Sequence, residues 1–185
     1  MNFIRLACRI CLPPALIISV AGSAVAVTSS GYRTGPEEVA VLLGQRTAEV
    51  EGFDLDGTEV NVSSPFPLAR GVSIAPVFTY TSWDIEGPLN DGSTWEIGAE
   101  LRAGIRMRHA EPYGRIRLTP FSGGEVGDYV MKVRGLRFHL GVEVPLNQRA
   151  GLLAEASLGR ERVQQGDSTD DMNSRALLVG ANVRL

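Results

Sequence analysis

Residues that could carry catalysis or bind a metal are few in this chain. Its 185 residues include two histidines, His109 and His139, and two cysteines, Cys8 and Cys11. A histidine beside a carboxylate can act as a general base, and Glu143 follows His139 closely in sequence. We expect His139 to form hydrogen bonds inside the protein and His109 to face solvent in a turn. The sequence therefore assigns no catalytic residue.

Three segments superficially suggest ligand binding. Residues 166–171 are acidic, but they lack the glycine and the glutamate that complete a calcium-binding EF-hand loop, which favours a solvated surface loop. Gly123 and Gly124 precede no helix, so they are expected to be loop hinges rather than a phosphate cradle. Cys8 and Cys11 are spaced as in metal or redox sites, but they lie in a segment typical of an export signal. We therefore expect no metal and no cofactor.

The composition excludes several classes of protein. A net charge of −3 offers no concentrated positive face, which argues against nucleic acid as a partner. The chain is 44% hydrophobic and contains 21 glycines with only 6% aromatic residues. This combination is typical of a globular fold and argues against a helix bundle or a disordered chain.

Most of the charged residues alternate with apolar ones along the chain. From Thr94 to Met107, every second residue is apolar and every intervening residue is polar, charged or glycine. A period of two is the pattern of a β-strand with two unlike faces. The same pattern recurs in later segments, so these residues must be positioned by strands.

Eight strands account for the pattern and predict an all-β, eight-stranded antiparallel up-and-down barrel. The predicted strands are residues 45–53, 58–64, 71–83, 93–107, 112–121, 135–144, 150–160 and 174–185. Their links are predicted to alternate in length, with short ones at 65–70, 108–111 and 145–149 and longer polar ones at 84–92, 122–128 and 161–173. Residues 36–43 could form a short helical turn before the barrel.

The first residues are typical of a cleaved secretory signal. Arg5 and Arg9 precede a mostly apolar stretch at residues 10–20, and Ala24-Val25-Ala26 forms a cleavage site of small residues. Cleavage after Ala26 would remove both cysteines and leave an exported protein without disulfides. The predicted organisation is a signal peptide at residues 1–26, an N-terminal extension at 27–44 and a barrel at 45–185.

Two sets of residues bear on which face of the barrel is outside. Opposed charges on the polar face could pair across a narrow lumen, and we predict a structural cluster there. Its members are Glu96, Glu100, Arg102, Arg106, Arg115, Arg117, Arg137, His139, Glu143 and Glu155. Aromatic residues gather near one end, as in the girdle at a membrane interface. These residues are Tyr80, Trp83, Trp95, Phe121 and Tyr129.

With this pattern over residues 45–185, the chain resembles the small eight-stranded outer-membrane β-barrels of the OmpA/OmpX type and the opacity-like proteins grouped with them. Leu177, Val179, Ala181 and Val183 supply the alternating last strand of such barrels, although Leu185 stands where the family usually ends in an aromatic residue. The resemblance implies a transmembrane barrel in the outer membrane of a Gram-negative-type cell. It also implies a structural or surface-interaction role, with membrane lipid, the barrel assembly machinery and an unidentified loop ligand as partners.

Two alternatives remain open at this point. A soluble, lipocalin-like periplasmic barrel would turn the apolar face inward and bind a small apolar ligand. A lipid-modifying barrel enzyme would use His139, but a deacylase of that kind would place a serine next to the histidine on the same strand, which His139-Leu140-Gly141 does not provide.

Overall fold

A computed structural model describes residues 38–50, 53–84, 92–126, 129–165 and 168–184. These residues form nine strands and belong to one compact unit spanning residues 36–185. The strands are β1 (Glu38–Val50), β2 (Phe53–Ser63), β3 (Phe66–Ala69), β4 (Val72–Asp84), β5 (Gly92–Gly104), β6 (Glu111–Val126), β7 (Tyr129–Pro145), β8 (Ala150–Gln165) and β9 (Ser168–Arg184). Within the described ranges, no helix is long and apolar enough to cross a bilayer.

Eight of the strands close into an antiparallel barrel. Each pairs with its sequence neighbour, β1 also pairs with β9 over its whole length, and β2 pairs with β4. The four-residue strand β3 pairs only with β4 and forms part of the connection between β2 and β4. The predicted fold class, an eight-stranded antiparallel barrel, is confirmed.

The barrel has two ends, which we name by their strand termini. The terminal end contains Glu38 and Arg184, the first and last residues of the paired strands β1 and β9. The distal end is the opposite one, where β1 leads into β2, β4 into β5, β6 into β7 and β8 into β9. Alternate side chains along every long strand point into the barrel, because successive residues of a strand face opposite sides.

The barrel begins earlier than the sequence predicted. Residues 38–44 are part of β1, so neither the short helical turn nor the N-terminal extension is correct for them. The two faces of this segment differ less than those of later strands, since its inward side chains include the apolar Ala40 and Leu42. The predicted signal peptide, both cysteines and the rest of the extension lie outside the described residues.

Strands β6 to β9 are also longer than predicted, and the predicted alternation of link lengths is wrong. Only two residues separate β6 from β7 and β8 from β9, so most of the predicted loops at 122–128 and 161–173 are strand. The acidic segment 166–171 likewise continues into β9 from Ser168 onward. At the distal end the outward side chains become polar while the inward ones turn apolar, as at Met131, Val133 and Val163. Because the polarity of the two faces is reversed there, the alternation that predicted the strand boundaries stops before the strands end.

Candidate functional site

The outward and inward faces of the barrel differ sharply in chemistry. On β5, Thr94, Glu96 and Glu100 are buried, whereas the alternating Ile97 and Leu101 are each 46% exposed. Exposed apolar side chains occur on the outer face of most of the long strands. They include Val41, Leu43, Ile74, Trp95, Ile97, Leu101, Ile116, Leu118, Phe121, Leu136, Phe138, Leu140, Val144, Leu152, Leu158, Leu177, Val179 and Val183. The soluble alternative, with the apolar face turned inward, is therefore wrong for the described barrel.

The interior holds two groups of ion pairs, one around Arg115 and Arg137 and one around Glu143, which together we call the interior charge network. Five arginines and six glutamates lie close together there, together with one histidine. They are Arg46, Arg102, Arg115, Arg117, Arg137, Glu59, Glu96, Glu100, Glu143, Glu155, Glu161 and His139. Because the positive and negative charges nearly balance, their attraction can offset the cost of removing them from water.

In the distal part of the network, two arginines bridge three glutamates from opposite sides of the barrel. Arg46 Nη1 lies 2.5 Å from Glu96 Oε1, and Arg46 Nη2 lies 2.7 Å from Glu161 Oε2. Arg137 Nη1 lies 2.9 Å from Glu59 Oε2, and Arg137 Nη2 lies 3.1 Å from Glu96 Oε2 and 2.8 Å from Glu161 Oε1. These contacts join β1, β2, β5, β7 and β8 and fill the lumen rather than line it.

In the middle of the barrel, Arg115 bridges Glu100 and Glu155. Its Nη1 lies 2.6 Å from Glu100 Oε1, and its Nη2 donates a hydrogen bond to Glu155 Oε2. Arg117 donates to Glu100 Oε2 at 3.2 Å, while Tyr113 donates its hydroxyl to Glu155 Oε2 at 3.1 Å. The carboxylates of both glutamates thus have charged partners, as burial requires.

At the terminal end, Glu143 contacts Arg102 of the network and two further side chains, Arg184 and Asn182. Arg102 Nη2 lies 2.7 Å from Glu143 Oε2, and Arg184 Nη2 lies 2.8 Å from Glu143 Oε1. Asn182 donates its side-chain amide to Glu143 Oε1 at 3.0 Å. Beside this group, a cavity of about 10 Å³ is lined by residues that include Glu100, Arg102, Tyr113 and Arg115, which leaves room for about one water molecule.

Toward the distal end, an apolar cluster closes the interior above the charges. We call it the apolar cap, and its members are Ala48, Leu55, Trp83, Val126, Met131, Val133, Val163 and Met172. Trp83 is 0% exposed; its indole nitrogen donates to Thr94 Oγ1 at 3.0 Å, and the Arg46 guanidinium lies 5.1 Å from its ring centre. The cap and the charge network together leave no wide channel through the part of the barrel that the structure describes.

The structure places nine of the ten predicted lumenal residues inside the barrel. The exception is Arg106, which is a correction: β5 ends at Gly104, and the Arg106 side chain is 75% exposed in the following link, with its Nε 3.6 Å from Glu111 Oε2. Sequence reasoning missed three fully buried charges, Arg46, Glu59 and Glu161. Glu161 lies six residues after Glu155, and an even spacing places both on the same face of a strand. This pattern could have identified Glu161, but the predicted strand ended at residue 160.

The predicted aromatic girdle is only partly formed. Trp95 and Phe121 are exposed on the outer face, and Tyr80 is half-buried there. Trp83 is a correction, because it points inward in phase with Thr79 and Thr81 and belongs to the apolar cap. The side chain of Tyr129 lies outside the described residues.

His139 lies inside the barrel with residue types that could form an acyl-transfer site. Its Nδ1 lies 2.6 Å from Glu155 Oε1, and Ser157 is its direct partner on β8. Neither His139 Nε2 nor Ser157 Oγ has a hydrogen-bond partner among the described residues, so the two are not joined to each other. His139 is 1% exposed and Ser157 is 4% exposed, which gives a substrate no access to them.

The remaining candidates lie apart from this network. His109 is exposed in the link between β5 and β6. The described residues contain no group of three or more histidine, cysteine, aspartate or glutamate side chains arranged to hold a metal ion.

The chain is similar to solved structures of outer-membrane proteins. The crystal structure of Neisserial surface protein A, NspA, is similar with a TM-score of 0.69 and 18% identity over 80% of this chain and 96% of NspA. Ail, the attachment invasion locus protein of Yersinia pestis, has a TM-score of 0.49 and 14% identity over 80% of this chain and 99% of Ail. The outer membrane enzyme PagL has a TM-score of 0.45 and 11% identity over 80% of this chain and 99% of PagL.

No protein-family model and no curated protein sequence matches the chain. The likeness to NspA confirms, at the level of fold, the predicted resemblance to the small eight-stranded outer-membrane barrels.

Proposed function

We propose that this chain is an outer-membrane protein that acts as a structural or surface-interaction barrel and catalyses no reaction. The observation that carries the proposal is the inversion of the barrel, with charges inside and apolar side chains outside. In water such a surface would be costly, because exposed apolar area is unfavourable. In a bilayer it is the expected arrangement, since a closed barrel satisfies its backbone hydrogen bonds internally.

The length of the apolar belt supports insertion into a membrane. On β7 the outward residues from Leu136 to Val144 are apolar. The next outward residues toward the distal end are Arg134 and Lys132, and polar residues 147–149 lie in the link beyond the other end. The nine-residue apolar stretch agrees with the roughly 9–11 residues that a tilted strand needs to cross the hydrocarbon core.

We assign the terminal end to the periplasm and the distal end to the cell surface. Removal of the predicted signal peptide would leave the eleven residues 27–37 before β1, whereas the links at the distal end range from two to seven residues. A chain that inserts from the periplasm must move the links at one end of the barrel across the hydrocarbon. Moving short polar links costs less free energy than moving a longer polar segment, so the longer segment is expected to stay in the periplasm.

The filled interior supports an interaction role over transport or catalysis. Arg46 and Arg137 occupy the lumen with their carboxylate partners, and the apolar cap lies between them and the distal surface. Partners therefore meet the outer wall and the distal links. The proposal includes two further partners: membrane lipid, which surrounds the folded barrel, and the assembly machinery, which inserts it.

Fractionation of cells that express the full chain tests the proposal. We expect the protein in the outer-membrane fraction, extracted only by detergent, and we expect unboiled samples to migrate differently from boiled ones on a denaturing gel. A protein recovered from the periplasm without detergent, with no change of mobility on boiling, would overturn both the location and the role.

A further inference from the structure

We propose that a cationic patch on the outer wall of β7, β8 and β9 binds the phosphate groups of a phosphorylated glycolipid in the outer leaflet. The inference rests on the proposed outer-membrane location and identifies one class of partner for it. The cationic patch consists of Lys132, Arg134, Arg160, Arg162 and Arg175.

All five side chains point away from the barrel interior. On β7, Met131 and Val133 are buried, and the alternating Lys132 and Arg134 are exposed. On β8, Glu161 is buried between the exposed Arg160 and Arg162. The same alternation on β9 exposes Arg175 between two buried neighbours, so three adjacent strands present cations on one face.

The patch begins where the apolar belt ends. Along the outer face, Arg134 follows Leu136 on β7, Arg160 follows Leu158 on β8, and Arg175 follows Leu177 on β9, each at the next outward position toward the distal end. On each strand the cations therefore lie just outside the hydrocarbon, at the depth of lipid phosphates. In the strand register Arg134 faces Arg162 directly, whereas Arg175 faces Leu158, four residues of β8 or about 13 Å from that pair.

The described protein residues supply few counter-charges for the patch. Arg134 on β7 and Arg162 on β8 are direct partners in the strand register, and like charges in that position destabilise a sheet. Among the described residues only Arg162 has an ion pair in the patch, with Asp171 at 3.8 Å. An anion that bridges two arginines would remove this repulsion, and the guanidinium geometry is well suited to phosphate oxygens.

The adjoining wall of the barrel, which begins at β1 next to β9, carries the opposite charge and limits the patch to one side. At the distal end of β1, β2 and β4, the exposed side chains are acidic rather than basic: Glu49, Asp54, Asp56 and Asp84. Asp56 and Asp84 are direct partners in the strand register. This wall would repel phosphate groups, so the lipid is expected to accumulate along β7 to β9 alone.

The test compares the full chain with two double variants in which arginines become neutral. Arg134→Gln with Arg162→Gln removes the facing pair of the patch. Arg108→Gln with Arg149→Gln is the matched control, since these exposed arginines lie in links at the terminal end. Each protein is folded into phosphatidylcholine vesicles that contain a minor fraction of lipid A, and the lipid A that remains bound after mild solubilisation is measured against protein.

We expect the Arg134 and Arg162 variant to lose about tenfold or more in apparent affinity for lipid A, and the control to lose little. Dephosphorylated lipid A should bind the unaltered protein as weakly as lipid A binds the variant, and inorganic phosphate should compete only at far higher concentration. If phosphate competes as well as lipid A, or if both double variants bind lipid A like the unaltered protein, the inference is wrong.

A change in self-association would also overturn the inference. If the Arg134 and Arg162 variant forms fewer dimers or larger species but binds lipid A like the unaltered protein, the patch pairs with the acidic wall of a second copy rather than with lipid. Samples from the same vesicles, run boiled and unboiled on a denaturing gel, show whether each protein has folded into a barrel. Failure of the unaltered protein to do so would count against the outer-membrane proposal, whereas a folded barrel without selective lipid A binding would count against the cationic patch alone.

Discussion

Arg137 is the residue on which the distal part of the interior charge network depends. It contacts Glu59, Glu96 and Glu161 from the wall opposite Glu59, and it is 1% exposed. Arg137→Met would leave these carboxylates with Arg46 as their main cation. We expect the free energy of unfolding to fall by about 3–5 kcal/mol, because removing one partner leaves buried charge uncompensated.

Denaturant unfolding of the barrel in detergent or vesicles measures this loss. Arg108→Met is the control, because Arg108 is exposed in a link and its replacement should cost little. Equal stability of the Arg137 and Arg108 variants would show that the interior ion pairs do not hold the strands together.

His139 provides a test of the second candidate function, a lipid-modifying enzyme. Its Nδ1 is engaged by Glu155, and it faces Ser157 across the strand pair without a hydrogen bond between Nε2 and Oγ. We expect membrane lipids from cells expressing the unaltered protein, His139→Ala or Ser157→Ala to have the same acyl composition. A modification that the unaltered protein produces and both variants lose would establish an enzyme.

At the scale of single residues, the sequence predicted charge inside the barrel better than it predicted the ends of strands. Glu96, Glu100, Arg115 and Arg137 lie on strands whose outward faces are clearly apolar, so their direction followed from alternation. Arg106 was misplaced because alternation continues past Gly104, whereas the strand pairing does not. Which arginine contacts which glutamate depends on register and barrel closure, and no local pattern contains that information.

Among the elements, β5 presents the outward face most plainly. Leu101 is 46% exposed and lies within the run of outward apolar residues from Trp95 to Ile105. Leu101→Arg would place a charge in the hydrocarbon, and we expect a loss of about 2–4 kcal/mol of folding free energy in vesicles. Ser168→Arg, at the exposed distal end of β9, should cost far less.

Equilibrium folding of both variants into phosphatidylcholine vesicles measures the difference. If arginine is tolerated equally at positions 101 and 168, the outer face of β5 does not meet lipid.

The seam between β1 and β9 depends on close approach of the two backbones. Gly44 faces inward on β1, and a Cβ atom there would collide with the backbone carbonyl of Leu177 on β9. A methyl group is therefore expected to push the seam apart, with a cost of about 1–3 kcal/mol. Gly114→Ala is the matched control, since the nearest atoms to its added Cβ lie 3.8 Å away.

The fraction of Gly44→Ala protein that reaches the heat-modifiable folded form, compared with Gly114→Ala, measures closure of the seam. Equal folding of the two would mean that β1 and β9 are not held this closely.

The number of strands in the barrel could be predicted from the sequence, but the lengths of those strands could not. Eight alternating segments predicted eight strands correctly, since one face of each must be apolar to meet lipid. The distal parts of β6 to β9 carry charged or polar residues outside and apolar residues inside, as at Glu125 and Val126 on β6 and at Arg134 and Val133 on β7. Because this order reverses that of the membrane-spanning part, the distal parts were taken for loops.

As a whole, the molecule is polarised both along its axis and around it. Along the axis, the interior changes from the charges around Glu143 to the apolar cap around Trp83. Around the axis, the distal outer wall changes from cations on β7 to β9 to carboxylates on β1, β2 and β4. The first asymmetry closes the lumen, and the second gives the barrel one side suited to anionic lipid.

The exposure of the outer wall to lipid is tested most directly by single labels on the folded barrel. Cys8 and Cys11 are replaced by serine, and one cysteine is introduced at Leu140, which is 75% exposed on the outer face, or at Leu146 in the link after β7. Spin labels at these sites in phosphatidylcholine vesicles report their contact with a lipid-soluble and a water-soluble relaxing agent. We predict that the label at position 140 responds mainly to the lipid-soluble agent and the label at position 146 mainly to the water-soluble one. A label at position 140 that is reached mainly from water would contradict the inverted barrel.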